Sequence, residues 1–580
     1  MTNARWIEDN DFNHALPLWT RANVGEVLPE PPSPLGWDLV FEEGTILGWR
    51  DCLVERFGIE ETALDERRPE VMGVFGGYAF LGTTILRVWA ERTPGFTADL
   101  LDAAYFAGHP DIPPYIAEPW HENEATTETM TGWLGWVMGD RNQDELEADR
   151  LLAHRIRAER PNLSELTDRE LLDHATSFIP VCRSLFNQHI NQSGAASIAP
   201  GIIGAVCEAI GDPSKAMHLI AGVGGVDSAA PSFAMWDMSR LARTSGDLTE
   251  LFDSGYNGLT ERVRASDSAD AKAFAAELEQ FLLEFGSRGP NEWDIHAPSW
   301  ELEPDLVLAL VDRMRGADDT HAPSTEHAAR ETGRERLGAE IIETLSGDPM
   351  AQGQFAAALA SSAVFLPGRE RSKTNIIRVI GEIRVAMWEL GRRGVERGDL
   401  MHPRDICMLF VDEAQAYADQ SLAEVSDLVA HRRAHFEWLS SIEPPFIFDE
   451  PPPLNTEWPA RGAHVALTAA VGDLLTGIPG CPGLARGRAV VVNHPSDPSD
   501  LNPGDILVAP MTDPSWTPLF VPAAAVVVNV GAPLSHAIIV SRELGIPCVV
   551  SVNKATERIP NGALIEVNGD TGIVTVLELP

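Results

Sequence analysis

One histidine between a buried strand and a helix constrains this chain more than any other feature. Residues 523–530 form a short apolar run typical of a buried strand. Over residues 537–544 apolar side chains recur at helical spacing, and Gly545 ends the predicted helix. His536 therefore lies at the start of a helix, where unpaired backbone N–H groups and the helix dipole favour an anion. The position suits a phosphorylated histidine, although capping or packed histidines are commoner at such a place.

The last hundred residues resemble a known phosphohistidine domain. The likeness is carried by four stretches: 478–483, 504–520, 531–547 and 569–576. They are similar to the swivelling domain of the dikinase family, which includes phosphoenolpyruvate synthase, pyruvate phosphate dikinase and rifampin phosphotransferase. The resemblance gives His536 the role of phosphoryl carrier. Leu534 stands where the family often has a threonine, so regulation through that threonine is not expected.

The net charge limits the partners that the chain can have. The sequence holds 44 Lys and Arg against 86 Asp and Glu, a formal net charge of -42. Because phosphate backbones and anionic membranes attract cationic surfaces, we expect neither a nucleic acid nor a membrane as partner. The N-terminus lacks a signal-peptide core, and no apolar run reaches the length of about 18 residues that a spanning helix needs. A cytoplasmic protein is expected.

The six cysteines are widely scattered and form no CxxC pair. This spacing argues against a zinc ribbon, a redox motif and a disulfide framework. We therefore predict no metal site on this chain and expect the cysteines to be reduced thiols in the core.

Hydrophobic periodicity and proline content divide the chain into three parts. Residues 1–445 are predicted to form a large, mostly α-helical domain, with 315–335 as a solvated or mobile insert. A proline-rich linker with a connecting helix is predicted over 446–476, and a small α/β swivelling domain over 477–580. Two glycine-rich pieces, 75–78 and 222–226, are interpreted as tight helix connections.

The N-terminal loop 19–35 is rich in proline and brings Arg21, Asn23 and Glu26 together. A solvated connector explains it equally well. The segment also resembles the opening of the acceptor-binding region of rifampin phosphotransferase, which implies a substrate-binding role for Arg21. In that family an ATP-binding domain comes before this region, and here the region begins almost at residue 1, so we expect that domain to be missing from the chain.

A polar and aromatic loop over residues 286–300 follows the amphipathic helix at 268–285. A salt-bridged helix end would explain its composition. The loop also resembles the Arg-Gly-Pro-x-Glu-x-Asp loop near the acceptor cavity of rifampin phosphotransferase. The resemblance marks four residues as substrate-binding candidates: Arg288, Glu292, Asp294 and His296. Of these, Glu292 and Asp294 are candidates to orient or deprotonate an acceptor hydroxyl.

Two cations are predicted to share one face of a long helix that opens at Gly368. Arg369 and Lys373 are four residues apart, so they repel each other unless carboxylates or an anionic ligand face them. Carboxylates are the commoner answer in an acidic protein. The pair also resembles the Arg-Glu-x-x-Lys motif of rifampin phosphotransferase, which implies that both cations act catalytically on the transferring phosphoryl group.

Together these features predict a phosphotransferase that works through phosphohistidine. The arrangement resembles the divided phenylphosphate synthases, which implies that ATP and Mg²⁺ bind a separate ATP-grasp subunit and that the acceptor is a small aromatic hydroxyl compound. Three alternatives stay open: a rifampin-type antibiotic phosphotransferase component, phosphoenolpyruvate as the donor, and a phosphocarrier or regulatory protein without acceptor chemistry.

Overall fold

The computed structural model describes residues 5–106, 112–319, 322–422, 424–463, 467–493, 501–531 and 535–580. The chain is mostly helical as far as residue 440. The α-helices of this part are α1 (Val24–Val27), α2 (Pro34–Gly36), α3 (Ile46–Glu55), α4 (Glu61–Asp65), α5 (Thr84–Arg92), α6 (Ala98–Phe106), α7 (Glu124–Gly135), α8 (Asp144–Ala158), α9 (Asp168–Thr176), α10 (Ile179–Ala209), α11 (Lys215–Leu219), α12 (Ala230–Thr244), α13 (Gly246–Asp253), α14 (Leu259–Ala265), α15 (Ala269–Phe285), α16 (Asp305–Arg315), α17 (Pro323–Thr344), α18 (Pro349–Arg397), α19 (Val411–Ala418) and α20 (Val425–Ser440).

The two longest helices, α10 and α18, pack against each other and organise the first domain. Asp348 caps the start of α18 by accepting hydrogen bonds from two backbone N–H groups, and Gly398 ends the helix in the left-handed conformation. The sequence-based start at Gly368 is therefore wrong by about five helical turns. Pro367 and Gly368 lie inside the helix, because burial against α10 outweighs their poor helix propensity.

A small sheet joins the two ends of the helical domain. Its strands are β1 (Trp19–Thr20), β2 (Met72–Phe75), β3 (Tyr78–Gly82) and β4 (Ile447–Phe448), in the order β2-β3-β1-β4. All three pairings are antiparallel. Gly76 and Gly77 have φ of 58° and 83° and make the turn between β2 and β3. The interpretation of residues 75–78 as a helix connection is corrected: they form a hairpin.

The C-terminal part is a mixed sheet with short helices. Its elements are β5 (Leu474–Thr476), β6 (Ile478–Cys481), β7 (Leu484–Val491), β8 (Ile506–Ala509), α21 (Thr517–Phe520), β9 (Ala525–Val528), α22 (His536–Leu544), β10 (Cys548–Val550), α23 (Ala555–Arg558), β11 (Leu564–Asn568) and β12 (Ile573–Glu578). The strand order is β5-β12-β11-β7-β8-β9-β10-β6. Strands β7, β8, β9 and β10 are parallel to one another, with α21 between β8 and β9 and α22 between β9 and β10 in the chain. This is the small α/β domain that the sequence predicts.

The proline-rich segment belongs partly to the helical domain. β4 pairs with β1, and Trp458 packs against Tyr78 in the same cluster as Trp19. The only helical turn described within 446–476 is a 3-10 turn at Asn455–Glu457, so the expected connecting helix is not seen among the described residues of that range. The expected solvated or mobile insert at 315–335 is helical from Pro323, where α17 begins, and residues 320 and 321 lie outside the described part of the chain.

The two domains share a hydrophobic core. Side chains of α12, α15 and α16 cluster with side chains of β8, α21 and α22, including Trp236, Phe281, Phe520 and Ile538. All six cysteines are buried as free thiols. Among the helices that the structure describes, none combines the length and the apolar character needed to cross a membrane.

Candidate active site

His536 is the first residue of α22, the helix that follows strand β9 in the chain. The predicted strand and helix around this histidine are confirmed; Leu534 lies outside the described residues. The Nδ1 atom of His536 is 3.1 Å from the hydroxyl oxygen of Thr512, and its Nε2 atom is 3.0 Å from the hydroxyl oxygen of Thr517. The Phe520 ring meets the imidazole edge-on. Each ring nitrogen is thus oriented by a hydroxyl that is able to donate or accept a proton.

The imidazole is held in its neutral form. Burial lowers the pKa of His536 well below its ordinary value, and the positive charges of Lys373, Arg288 and Arg369 lower it further. The side chain is only 9% exposed. A neutral imidazole keeps one nitrogen lone pair, which is what a nucleophile toward phosphorus needs.

His536 lines a cavity of about 200 Å³ between the two domains. Most of the cavity wall is apolar and comes from the helical domain, including Phe41, Trp49, Phe57, Trp89, Phe96 and Phe186. The polar groups Glu26, Glu292, Arg369 and Lys373 line the same cavity as the imidazole. The cavity therefore combines a large aromatic surface with one charged region, as small-molecule sites do.

Arg369 and Lys373 both reach this cavity from α18. Arg369 pairs with the neighbouring Glu370 at 2.6 Å, and Lys373 pairs with Glu292 at 3.1 Å. Carboxylates therefore offset both cations, as the sequence suggests for an acidic protein. The pair nevertheless acts on His536 through space, so an anion on the imidazole would be attracted to it.

Glu292 is a buried carboxylate shared by two cations. Arg288 donates to both of its oxygens, at 2.9 and 3.1 Å, and Lys373 approaches from α18. Burial alone would raise the pKa of Glu292, but Arg288 and Lys373 together lower it below its ordinary value. Gly381 of α18 has no side chain to displace Ser287, and this allows the 286–300 loop to lie close to the helix. Arg288 also donates to Thr374 of α18 at 2.7 Å.

The other three loop candidates, Arg288, Asp294 and His296, do not line the cavity. Asp294 accepts hydrogen bonds from the backbone N–H and the hydroxyl of Ser33, at 2.8 and 2.6 Å, and from the backbone N–H of His296. The His296 ring packs against Phe436. None of the three lines the cavity, so the structure gives them a supporting role instead of contact with a substrate.

Arg21 also lies behind the cavity wall and does not line it. Its guanidinium donates to the backbone carbonyls of Ala79 and Leu28, each at 2.6 Å. Burial lowers the pKa of Arg21 to about 10. Arg21 therefore anchors the segment that carries Glu26. Because its side chain does not line the cavity, this position does not support direct contact between Arg21 and a substrate.

Several lining residues are absent from the sequence-based site, among them Glu26, His189 and Asp513. Glu26 is close to Arg21 in the sequence, and Asp513 lies within the phosphohistidine-domain stretch, so both had a local signal. His189 lies in the middle of α10, where nothing in the sequence distinguishes it from a core histidine. Burial, Arg369 and Lys373 lower the pKa of His189 to about 3. Burial raises the pKa of Asp513.

Polar contacts hold the C-terminal domain in this position. Arg330 of α17 donates to the backbone carbonyl of Gly545 at 2.6 Å. The backbone N–H groups of Val223 and Gly224 donate to the Glu543 carboxylate at 3.3 and 3.4 Å. These contacts surround the end of α22 opposite to His536. The structure therefore shows the histidine docked at the cavity.

Comparison with protein families agrees with this architecture. A model described as the rifampicin phosphotransferase fourth domain matches residues 188–370, which include Glu292 and Arg369. A second model, the PEP-utilising enzyme mobile domain, matches residues 501–572, which include His536. Two regions of the chain are thus similar to domains of the rifampicin phosphotransferases and of PEP-utilising enzymes.

The matches to individual relatives cover only part of this chain and part of each relative. An uncharacterized protein of Mycobacterium tuberculosis is 36% identical over 312 residues, which are 54% of this chain and 32% of the relative. The prodigiosin synthesizing transferase PigC of Serratia marcescens is 30% identical over 54% of this chain and 35% of its own length. A rifampicin phosphotransferase of Streptomyces sviceus is 27% identical over 64% of this chain and 42% of its own length. The chain thus spans about a third to two fifths of these relatives.

Proposed function

We propose that this chain carries a phosphoryl group on His536 and transfers it to the hydroxyl of an aromatic acceptor bound in the cavity. The observation that supports this most is the joint position of the neutral imidazole, Arg369 and Lys373 on one cavity. A phosphoryl group on the imidazole would lie in the field of both cations. Their charge would offset the negative charge that spreads over the phosphoryl oxygens during transfer.

The transfer balances without any further reactant. The acceptor oxygen forms a bond to phosphorus while the bond between phosphorus and the imidazole nitrogen breaks. The electron pair of the broken bond stays on the imidazole, which then takes up one proton. The acceptor hydroxyl loses one proton, so the products are a phosphate ester and a neutral histidine.

The aromatic lining of the cavity is the basis for the proposed class of acceptor. Aromatic side chains such as Trp49, Trp89 and Phe186 contribute much of the wall. The charged groups Glu26, Arg369 and Lys373 are within electrostatic range of one another and of His536. An aromatic ring that carries one hydroxyl would place its ring among the aromatic side chains and its oxygen toward the imidazole. The relatives support a second candidate, an antibiotic acceptor, because two of them are named rifampicin phosphotransferase.

The phosphoryl donor is proposed to be ATP with Mg²⁺, bound by a separate ATP-grasp subunit; phosphoenolpyruvate is the alternative donor. The cations beside His536 suit a phosphoryl anion, whereas Mg²⁺ prefers carboxylate and water oxygens. Mg²⁺ therefore belongs with the nucleotide on the donor side. The name of the matched mobile domain refers to phosphoenolpyruvate and so supports the alternative donor.

The test follows phosphate onto His536 and away from it. The full chain is incubated with a candidate ATP-grasp protein, labelled ATP and Mg²⁺, and acid-labile label is located by peptide mapping before and after addition of phenol. We expect label on His536 that passes to phenol. His536→Ala should abolish labelling, while the control His431→Ala, an exposed histidine of α20, should not. Label that stays on the protein with every phenol and with rifampicin would favour the carrier alternative.

A further inference from the structure

We propose that Glu26 is the general base that takes the proton from the acceptor hydroxyl while His536 transfers its phosphoryl group. The proposal rests on the proposed function and adds the residue that moves the proton. Glu26 lines the cavity together with His536, and its carboxylate lies within range of the backbone N–H of that histidine. An oxygen attacking phosphorus on the imidazole would therefore pass close to it.

Hydrogen bonds anchor the segment that carries Glu26. Arg21 anchors it through the carbonyls of Ala79 and Leu28, and the backbone N–H of Gly25 donates to the Arg21 carbonyl at 2.6 Å. Asn23 holds a φ of 63°, which turns the chain just before α1. A base must be held in place to be effective, and this loop holds Glu26 at the cavity.

The other carboxylates that line the cavity are already engaged. Glu292 is held by Arg288 and Lys373. Glu370 is paired with Arg369. Asp513 accepts from the backbone N–H and the hydroxyl of Ser515 and from the backbone N–H of Asn291. Among the residues that the structure describes, none donates a side-chain hydrogen bond to Glu26. The His536 backbone N–H engages one side of this carboxylate, which leaves an oxygen available to a ligand.

The basicity of Glu26 fits the task. Burial raises its pKa to about 7, against the lowering effect of Arg369, Lys373 and the His536 backbone N–H. A base is most effective when its pKa is close to the working pH, because it is then both available and strong enough to take a proton. The remaining titratable groups that line the cavity are His189, Glu292, Glu370, Asp513 and Tyr105.

The proton has a complete path. Ionised Glu26 accepts the hydroxyl proton as the new P–O bond forms. The P–N bond breaks with its electron pair on the imidazole, and the protonated carboxyl then gives the proton to that nitrogen directly or through water. The cycle leaves Glu26 ionised and His536 neutral, so no oxidant or additional acid is consumed.

The test compares acceptors that differ in their need for a base. The full chain is loaded on His536 with phosphoramidate, and discharge is timed with 4-nitrophenol, which ionises readily, with unsubstituted phenol and with water. Glu26→Gln should load normally but discharge to phenol at least ~100-fold more slowly, with a smaller loss for 4-nitrophenol. Glu26→Asp should retain part of the rate. The control Glu43→Gln removes an exposed carboxylate that does not line the cavity.

Two outcomes would overturn the proposal: discharge of Glu26→Gln to phenol at the normal rate, or equal losses with both phenols. If the unaltered chain transfers to neither phenol, the proposed acceptor class fails instead. Glu26 is then judged on discharge to water, where a slower rate and a lost pH dependence near 7 in Glu26→Gln support the proposal and an unchanged rate refutes it.

Discussion

The ammonium group of Lys373 lies 3.1 Å from a carboxylate oxygen of Glu292, and the same oxygen is 2.9 Å from the guanidinium of Arg288. One carboxylate thus serves two cations. Lys373 is fixed in place without being fully neutralised, and its remaining charge acts on His536. This relationship joins the 286–300 loop, the long helix α18 and the mobile domain at one point.

Replacing Lys373 should separate loading of His536 from its discharge. We expect Lys373→Met to accept phosphate on His536 but to transfer it at least ~100-fold more slowly, because one cation facing the phosphoryl oxygens is lost. Single-turnover discharge measures this directly. Arg392→Met serves as control, since Arg392 lies on the same helix and pairs with Glu389 and Glu396 on its exposed face. A loading defect in Lys373→Met would contradict the assigned role.

Asp294 should matter for stability and not for acceptor binding. Asp294→Ala removes the acceptor of three hydrogen bonds from Ser33 and His296, so we expect the free energy of unfolding to fall by about 3 kcal/mol. Urea unfolding measures the change. The exposed Asp267→Ala should stay within about 0.5 kcal/mol of the unaltered protein. A raised KM for the acceptor at unchanged stability would instead restore a substrate-binding role.

The buried carboxyl of Glu26 should make stability depend on pH. Its pKa is about 7 in the folded chain against an ordinary value of 4.5, so the folded state binds the additional proton between these values. The contribution of Glu26 to stability is therefore fully present below a pH of about 4.5. It is lost as the pH rises to about 7, and the free energy of unfolding falls by about 3 kcal/mol at most. Glu26→Gln should remove that part of the slope. The difference between the two proteins, measured by urea unfolding from pH 4 to 8, should grow with pH; a constant difference would be inconsistent with the raised pKa.

Arg330 should govern docking of the mobile domain. Arg330→Ala removes the hydrogen bond to the Gly545 carbonyl, so we expect faster backbone hydrogen exchange in α22 and slower discharge of phosphohistidine, while loading is retained. Arg336→Ala on the same helix is the control, because Arg336 is exposed and pairs only loosely with Glu340 at 3.7 Å. Identical exchange in the two variants would show that docking does not depend on Arg330.

Local patterns predicted the parts of the site that lie within one element. The strand and helix around His536 follow from periodicity, and the shared face of Arg369 and Lys373 follows from helix geometry. The start of α18 was missed because Pro367 and Gly368 break helices locally, and only burial against α10 keeps the helix continuous. Packing between α10 and α18 determines where α18 begins, and a short stretch of sequence carries no information about that packing.

The sequence does not distinguish residues that line the cavity from residues that support its walls. A loop rich in polar residues looks the same whether its carboxylates face a cavity, like Glu292, or support a neighbouring segment, like Asp294. His189 and the aromatic wall come together from helices far apart in the chain. Their common position depends on contacts between those helices, which periodicity does not encode.

The attachment of the mobile domain sets how far its histidine is able to travel. Arg461 is tied to the helical domain through Glu30 and Tyr78, and the backbone N–H of Ala469 is already bonded to Arg558 of the mobile domain. Seven residues, 462–468, separate these two anchors, and a fully extended chain of that length spans roughly 25 Å. If the domain leaves the cavity while both anchors hold, His536 reaches only as far as this chain length and the width of the domain allow. A donor would then have to present its phosphate within that distance.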